Sequence, residues 1–301
     1  MSDAQIKADW IAVDWGTSNM RAWALSGSGT VLAEASSDQG MGKLRREDFE
    51  AALLSVVQDW IDGPTTVIAC GMVGSRQGWV EAPYAAVPCA TLPEGLVQAP
   101  VTHPDLTVYV IPGIKQMSPA DVMRGEETQV TGFLARNKNW DGVICLPGTH
   151  TKWVHVSADE VVSFQTFMTG ELFDTIATQT VLRHSIAADG WDDAAFAEGL
   201  EMGLSRPERL AARLFSLRAN GLLNDMSGTA ARAQLSGLLI GTELAAAKPY
   251  WLGQQIAVIG EGKLSKLYVD ALATQAAPAT QVNAATITLA GLTAAYQRLK
   301  G

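Results

Sequence analysis

Two stretches, residues 10–35 and 141–166, follow one plan, and that plan limits what the whole chain can fold into. WIAVDWGTSNMRAWALSGSGTVLAEA reads as a buried strand, a polar glycine turn, a second strand, a Ser/Gly turn and a third strand. DGVICLPGTHTKWVHVSADEVVSFQT repeats the order. In both, a Gly-Thr turn is followed by a basic residue and a tryptophan: GTSNMRAW at 16–23 and GTHTKW at 148–153. Two chance glycine hairpins would give a weak match of this kind. These two open comparable meanders and divide the chain nearly in half, which favours an internal structural duplication.

The remainder alternates strand and helix. REDFEAALLSVVQDWI at 46–61 has apolar residues at helical spacing, with acids at the end favoured by the helix dipole. TTVIACGMVGS is a buried strand running into a glycine loop, and LTVYVIPG at 106–113 is a further strand. Beyond the second meander, helices are predicted at 171–183, 192–201, 207–220 and 228–246. QQIAVIGEGKLSKLYVDAL then gives strand, glycine turn and helix, followed by a short strand near Gln281 and the closing helix AATITLAGLTAAYQRL. The pattern is α/β, and 301 residues suffice for two domains.

A formal charge of −9, from 31 acidic and 22 basic side chains, with no Lys/Arg block interleaved with aromatics, argues against a nucleic-acid partner. No run of about 18 apolar residues suggests a membrane span, and MSDAQIKADW has no signal-peptide character. Cys70, Cys89 and Cys145 lie in or beside apolar stretches without a CxxC, so they read as free thiols of a cytoplasmic protein. A homo-oligomer is left open.

Tight turns of Gly, Thr and Ser after strands expose backbone N–H groups and hydroxyls that suit phosphate oxygens. Three occur, at 16–19, 148–151 and 260–262; together they suggest a site for a polyphosphate, the alternative being three ordinary turns whose polar residues replace water contacts. GEGKLS at 260–265 lacks the GxxxxGK[ST] spacing, and no GxGxxG follows the first strand, so P-loop and Rossmann readings are disfavoured. Asp14, ahead of the first turn, is placed to hold magnesium, or else to accept hydrogen bonds within the turn. In QMSPADVMRGEETQ, Ser118-Pro119 predicts a helix start with Asp121 as a capping residue, and Glu126 and Glu127 open the next helical pattern. One of Asp121, Glu126 and Glu127 is a candidate base for a hydroxyl attacking a phosphoryl group.

VDWGTSNMRAW at 13–23, GMVGSRQGW at 71–79, PADVMRGEETQ at 119–129, LPGTHTKW at 146–153 and VIGEG at 258–262 resemble the 2-dehydro-3-deoxygalactonokinase family, within the sugar kinase, heat-shock ATPase and actin superfamily. The resemblance spans nearly the whole chain. It implies two related actin-like ATPase domains, each with a ribonuclease H-like mixed sheet and helices, around an interdomain nucleotide cleft. Boundaries are expected at 1–138 and 139–301, with the final helix packing back on the first domain. The implied activity is ATP-dependent phosphorylation of 2-dehydro-3-deoxy-D-galactonate to its 6-phosphate, in galactonate or galactose breakdown, with ATP and Mg2+.

By the same resemblance Asp14 organises magnesium. Gly16, Thr17, Ser18 and Asn19 form a first phosphate loop, Gly148, Thr149, His150 and Thr151 a second, and Gly260 and Gly262 a nucleoside-side loop. Leu146-Pro147 stands where many relatives carry an acid, which weakens any second metal-organising carboxylate. For the substrate carboxylate Arg76 with Gln77 comes first, then Arg21 and Arg124, with Lys152 and His150 near phosphate or substrate. The alternatives are a phosphohydrolase on this scaffold and a noncatalytic sugar or nucleotide sensor.

Overall fold

A computed structural model describes residues 6–301, which divide into two compact units. The first takes the chain up to Asp141, with 156–163 and 284–301; the second takes 142–155 and 164–283.

The first unit runs β1 (Trp10–Trp15), β2 (Met20–Leu25), β3 (Val31–Ser37), α1 (Phe49–Val57) and β4 (Thr65–Cys70). It continues through β5 (Tyr84–Ala86), β6 (Cys89–Ala90), β7 (Val97–Gln98), β8 (Leu106–Val110), β9 (Gly113–Met117), β10 (Ala120–Met123) and α2 (Glu126–Arg136). The second carries β11 (Gly142–Leu146), β12 (Thr151–Ser157), β13 (Glu160–Phe167), α3 (Thr169–Gln179), α4 (Asp193–Ser205) and α5 (Leu210–Leu223). After α6 (Gly228–Ala246), α7 (Lys248–Trp251), β14 (Ile256–Ile259), α8 (Gly262–Thr274) and β15 (Ala279–Val282), helix α9 (Ala284–Lys300) belongs again to the first unit.

The main sheet of the first unit has the order β3-β2-β1-β4-β8-β7. β1 is antiparallel to β2 and parallel to β4, and β4 is parallel to β8. The second unit repeats this order as β13-β12-β11-β14-β15, with β11 parallel to β14 and β14 to β15. The two mixed sheets are thus related, as the repeated meander predicts. The tip of the β12–β13 hairpin falls in the first unit, where Glu160 and Val161 pair with Ala90 and Cys89.

β1 is central and buried on both faces, so its alternate residues serve two cores. Ile11, Val13 and Trp15 pack with Phe49 and Leu53 of α1. Trp10 and Ala12 face Leu292, Ala295 and Tyr296 of α9. The Trp10 and Tyr296 rings stack at 4.2 Å, a pairing worth about 0.5–1.5 kcal/mol beyond its buried area. In the second unit Cys145 and Trp153 pack with Phe196 of α4, Ile240 and Leu244 of α6, and Tyr268 of α8. The glycines of α4 and α6 bring those two helices to backbone contact, which fixes the depth of α6.

One expectation is overturned. Ser118-Pro119 does not start a helix; it is the turn of the β9–β10 hairpin, with Asp121 paired to Gln116 and Val122 to Lys115. Pairing of β9 with β5 makes this a three-stranded sheet, a long-range partner that outweighs the local signal.

Candidate active site

In the first unit, carboxylates gather where β1 and β4 end. Asp14 pairs in register with Cys70, whose Sγ donates to Asp14 Oδ1 at 3.8 Å. The next residue, Gly71, has φ +93°, and a Cβ there would lie 2.7 Å from the Trp15 carbonyl oxygen and 3.6 Å from Asp14 Oδ1. A Cβ on Gly125 would in turn lie 3.3 Å from Gly71 Cα. These two glycines let the N-terminus of α2, with Glu126 and Glu127, approach the end of β1.

Asp14 and Glu127 both feel the charge of Glu126. Burial raises the Asp14 pKa; Arg21 and the Cys70 bond oppose the rise, and Glu126 adds to it. Burial and then the Glu126 charge push Glu127 up to about 8. Glu127 is fully buried, and the Gly125 N–H donates to its two oxygens at 2.9 and 2.7 Å. It therefore caps its own helix in a closed setting. Glu126 is half-buried, with Oε2 accepting from the Arg124 N–H at 3.1 Å. Asp121 lies on β10, and its carboxylate accepts from the Val122 N–H at 2.7 Å.

The first turn is braced from behind: the Gly40, Met41 and Gly42 N–H groups donate to the carbonyls of Ser18, Gly16 and Thr17. Thr17, Ser18 and Asn19 remain exposed beside the half-buried Gly16.

Among described residues, no three His, Cys, Asp or Glu side chains form a metal-holding group. Mg2+ keeps most of its waters and needs only one or two carboxylates beside phosphate oxygens, so its site need not contain such a group. Asp14 is half-buried at the strand end and fits that donor set.

The candidate cations differ. Arg76 is 81% exposed and pairs with Glu81 at 3.4 Å, and Gln77 beside it is exposed. Arg21 reaches Glu34 at 3.8 Å, lies 5.7 Å from the centre of the Trp23 ring and is opposite Asp14 in the β1–β2 ladder. Arg124 is buried over the Tyr84 ring at 4.2 Å and donates to the Ala82 carbonyl at 2.7 Å, so it ties that segment to the start of α2.

In the second unit the other two loops meet. β11 and β14 are parallel neighbours, so Pro147-Gly148 and Gly260 leave the sheet side by side, the crevice position favoured for ligands in such sheets. Gly148 is half-buried, and Thr149 and His150 are exposed. Thr151 faces inward: it is fully buried, with its hydroxyl 3.1 Å from the Tyr268 hydroxyl. Lys152 is buried too, and its Nζ donates to the His150 carbonyl at 3.4 Å. Helix α3 begins directly above this loop. The Glu171 N–H donates to the Thr149 carbonyl at 3.0 Å, and His150 Nε2 lies 2.5 Å from the Glu171 carboxylate. An α3 N-terminus so placed directs its positive dipole end at the loop.

Gly260 donates to the Val282 carbonyl at 3.0 Å, and Gly262, with φ +65°, opens α8. Next to these loops is a cavity of about 280 Å³ lined by Gly148, Gly170, Phe173, Trp191, Arg232 and Lys263 among others. Lys263 Nζ sits 3.5 Å from the Trp191 ring centre, and Arg232 lies over Phe173 at 5.0 Å. Loss of water lowers the Lys263 pKa, Asp193 opposes this, and Arg232 adds to it.

Sequence reasoning missed this wall, because Phe173, Trp191, Arg232 and Lys263 come from separate segments with no shared spacing. It also missed Glu243, a buried acid on α6 that accepts from Trp153 Nε1 at 2.8 Å, the Tyr268 hydroxyl at 2.7 Å and the Thr169 hydroxyl. Burial raises Glu243 to about 7 against those bonds. An acid in the middle of an apolar helix was the available signal.

The model of the family described as 2-keto-3-deoxy-galactonokinase matches residues 14–295. A Rhizobium meliloti (strain 1021) protein named as a probable 2-dehydro-3-deoxygalactonokinase is 40% identical over 299 residues, covering 96% of this chain and 97% of that protein. An Escherichia coli (strain K12) 2-dehydro-3-deoxygalactonokinase is 34% identical over 288 residues, covering 95% and 96%. A Sinorhizobium meliloti crystal structure under the same enzyme name aligns with a TM-score of 0.88 at 39% identity over 96% of both chains.

Proposed function

The chain belongs to the 2-keto-3-deoxy-galactonokinase family, and from that membership we propose how its residues divide the work of a sugar-acid kinase. The reaction is ATP-dependent phosphorylation of 2-dehydro-3-deoxy-D-galactonate, a step of galactonate breakdown. The 6-hydroxyl oxygen bonds to the γ-phosphorus as the bond to the ADP oxygen breaks, and the hydroxyl proton leaves to a base.

Glu126 is our base. The carrying observation is the Gly71–Gly125 approach, which sets the start of α2 against the end of β1 while leaving Glu126 half-buried and Glu127 sealed. A base must reach the substrate, and of these neighbouring glutamates only Glu126 has an exposed part. Asp14 would hold Mg2+, which supplies charge neutralisation for the phosphates when bound.

The amides and hydroxyls of Gly16 to Asn19 are assigned to phosphate oxygens in the first unit. In the second, Gly148, Thr149 and His150 take that role beneath α3, and the cavity beside Gly260 and Gly262 takes the nucleoside. Its aromatic and cationic wall suits a purine face. Thr151 and Lys152 hold the loop from inside. For the sugar-acid carboxylate, Arg76 with Gln77 remains first: Arg76 is exposed, and its weak surface pair with Glu81 is easily exchanged. We assign the reaction to the cytoplasm, where ATP is available and free thiols such as Cys70 and Cys145 stay reduced.

The test is ADP release with Mg2+, ATP and 2-dehydro-3-deoxy-D-galactonate or its gluconate epimer, followed by product identification. Stoichiometric sugar phosphate and ADP are expected with the galactonate. Inorganic phosphate without a sugar phosphate would replace the kinase by a hydrolase.

A further inference from the structure

Glu243 accepts from three neutral donors, each carried by a different element. Trp153 Nε1 on β12 donates to Oε1 at 2.8 Å, and Tyr268 on α8 donates to Oε2 at 2.7 Å, where the Thr169 hydroxyl of α3 also donates. The acid is 2% exposed and packs among apolar residues of α6. An apolar side chain of similar volume is often the more stable occupant of such a place, so packing alone does not account for a carboxylate.

What a carboxylate adds is direction. Once ionised, at a pH above its raised value of about 7, it is acceptor-only and fixes the hydrogen of every donor around it, so the experiment is run at about pH 8. With the Tyr268 hydrogen committed to Glu243, the Tyr268 oxygen accepts from Thr151, 3.1 Å away. Thr151 ends the Gly148–Thr151 loop. At the other end, Thr169 precedes Gly170, and a Cβ on Gly170 would lie 2.3 Å from the Gly148 carbonyl oxygen. Both ends of the loop therefore lead to one acid. Gly148, Thr169 and Tyr268 also line the cavity beside it.

We propose that Glu243 is a positioning residue for nucleotide: through Thr169, Tyr268 and Trp153 it holds the Gly148–Thr151 loop and the cavity wall in the arrangement that binds ATP. This rests on the reading of that loop and cavity as the nucleotide site. Glu243 does not touch the reacting atoms, so its loss acts on ATP affinity ahead of the chemical step. Glu243→Gln can keep the Trp153 bond on its carbonyl. Its NH2 then makes the Thr169 and Tyr268 hydroxyls acceptors and reverses the Tyr268–Thr151 bond, so the direction that the carboxylate imposes is lost.

The experiment measures ATP affinity by calorimetry without sugar acid, and KM for each substrate, in Glu243→Gln, Tyr268→Phe and Gly148→Val proteins. Glu243→Gln is expected to weaken ATP binding by about twofold to tenfold, the range for one hydrogen bond lost or reversed. The KM for the sugar acid stays near that of the wild type. Tyr268→Phe, which cuts only the Thr151 branch, is expected to give a smaller loss of the same kind. If Glu243→Gln does not fold, Tyr268→Phe decides alone. Wild-type ATP affinity in the folded variants, with only a lower melting temperature, overturns the positioning role. If Gly148→Val weakens ATP binding while the other two do not, only this inference fails. If Gly148→Val also binds ATP normally, the loop assignment fails, and the inference with it.

Discussion

Gly170 stands over Gly148 so closely that a Cβ on Gly170 would lie 2.3 Å from the Gly148 carbonyl oxygen and 2.9 Å from the Thr149 Cα. The first turn of α3 and the second glycine loop are thus one piece of backbone packing. Alanine is otherwise the better helix former, by about 1 kcal/mol. Gly170→Ala therefore separates two outcomes. The close contact predicts a displaced loop and an ATP KM raised by about tenfold or more, as for a misplacement of order 1 Å. Steady-state kinetics with each substrate varied in turn checks this; a more stable protein with unchanged ATP KM would mean that the loop gives way freely.

The three acids of the 121–127 segment are expected to respond differently to removal of charge. Glu126→Gln should lower kcat by about two to four orders of magnitude with the fold retained, as loss of a general base does. Asp121→Asn should leave kcat near the wild-type value, because that carboxylate accepts from its neighbour's N–H within a hairpin. Glu127→Gln should change stability more than rate, since Glu127 is sealed beneath Gly125. Single-turnover measurement of sugar phosphate, with circular dichroism as a check on folding, separates these cases. An unchanged rate in Glu126→Gln would remove Glu126 as base.

How far the sequence carried the fold and the site follows from what is local. The meanders at 10–35 and 141–166 were legible because each strand and turn is encoded within a few residues, and the repeated strand order followed from their similarity. Ser118-Pro119 misled because a helix-start signal and a hairpin turn share those residue types; the β9–β5 pairing that decides between them lies about thirty residues away. Asp14, Glu126 and the glycine loops stand at element ends and could be named from their turns. Thr151 and Lys152 could not be sorted from Thr149 and His150, because inside and outside alternate only once the strand register is known. Glu243 and the Trp191–Lys263 wall depend on contacts between distant segments, which no spacing encodes.

Two buried acids make stability depend on pH in an unusual sense. The folded-state pKa values of Glu127 and Glu243 are raised, to about 8 and about 7, above the ordinary glutamate value of 4.5. The folded protein therefore holds protons that the unfolded chain releases. The resulting stabilisation is fully present below about pH 4.5 and is lost as pH rises through 7 to 8. Over that window, at about 1.4 kcal/mol per pKa unit, these groups should subtract on the order of 3–5 kcal/mol each. Urea unfolding of the wild type and the Glu127→Gln and Glu243→Gln proteins from pH 5 to 8.5 isolates their part. Each substitution should flatten the decline, and an identical slope in all three would show that neither acid is protonated on folding.

The cation at the cavity mouth gives a last distinction. Lys263 Nζ lies 3.5 Å from the Trp191 ring centre, and the lowered Lys263 pKa follows first from lost hydration. If the cavity receives the nucleoside, that pair forms part of its wall in ATP and ADP alike, because it faces the cavity and not the transferred phosphoryl group. Lys263→Ala and Trp191→Ala should then weaken ATP and ADP binding by similar factors, about threefold to thirtyfold for a stacking or cation–π contact. Since the interaction is the same before and after transfer, kcat at saturating ATP should change little. Inorganic triphosphate, which has no base to place there, should bind equally well to both variants and the wild type. A selective loss of triphosphate binding in Lys263→Ala would instead put this lysine on the phosphate chain.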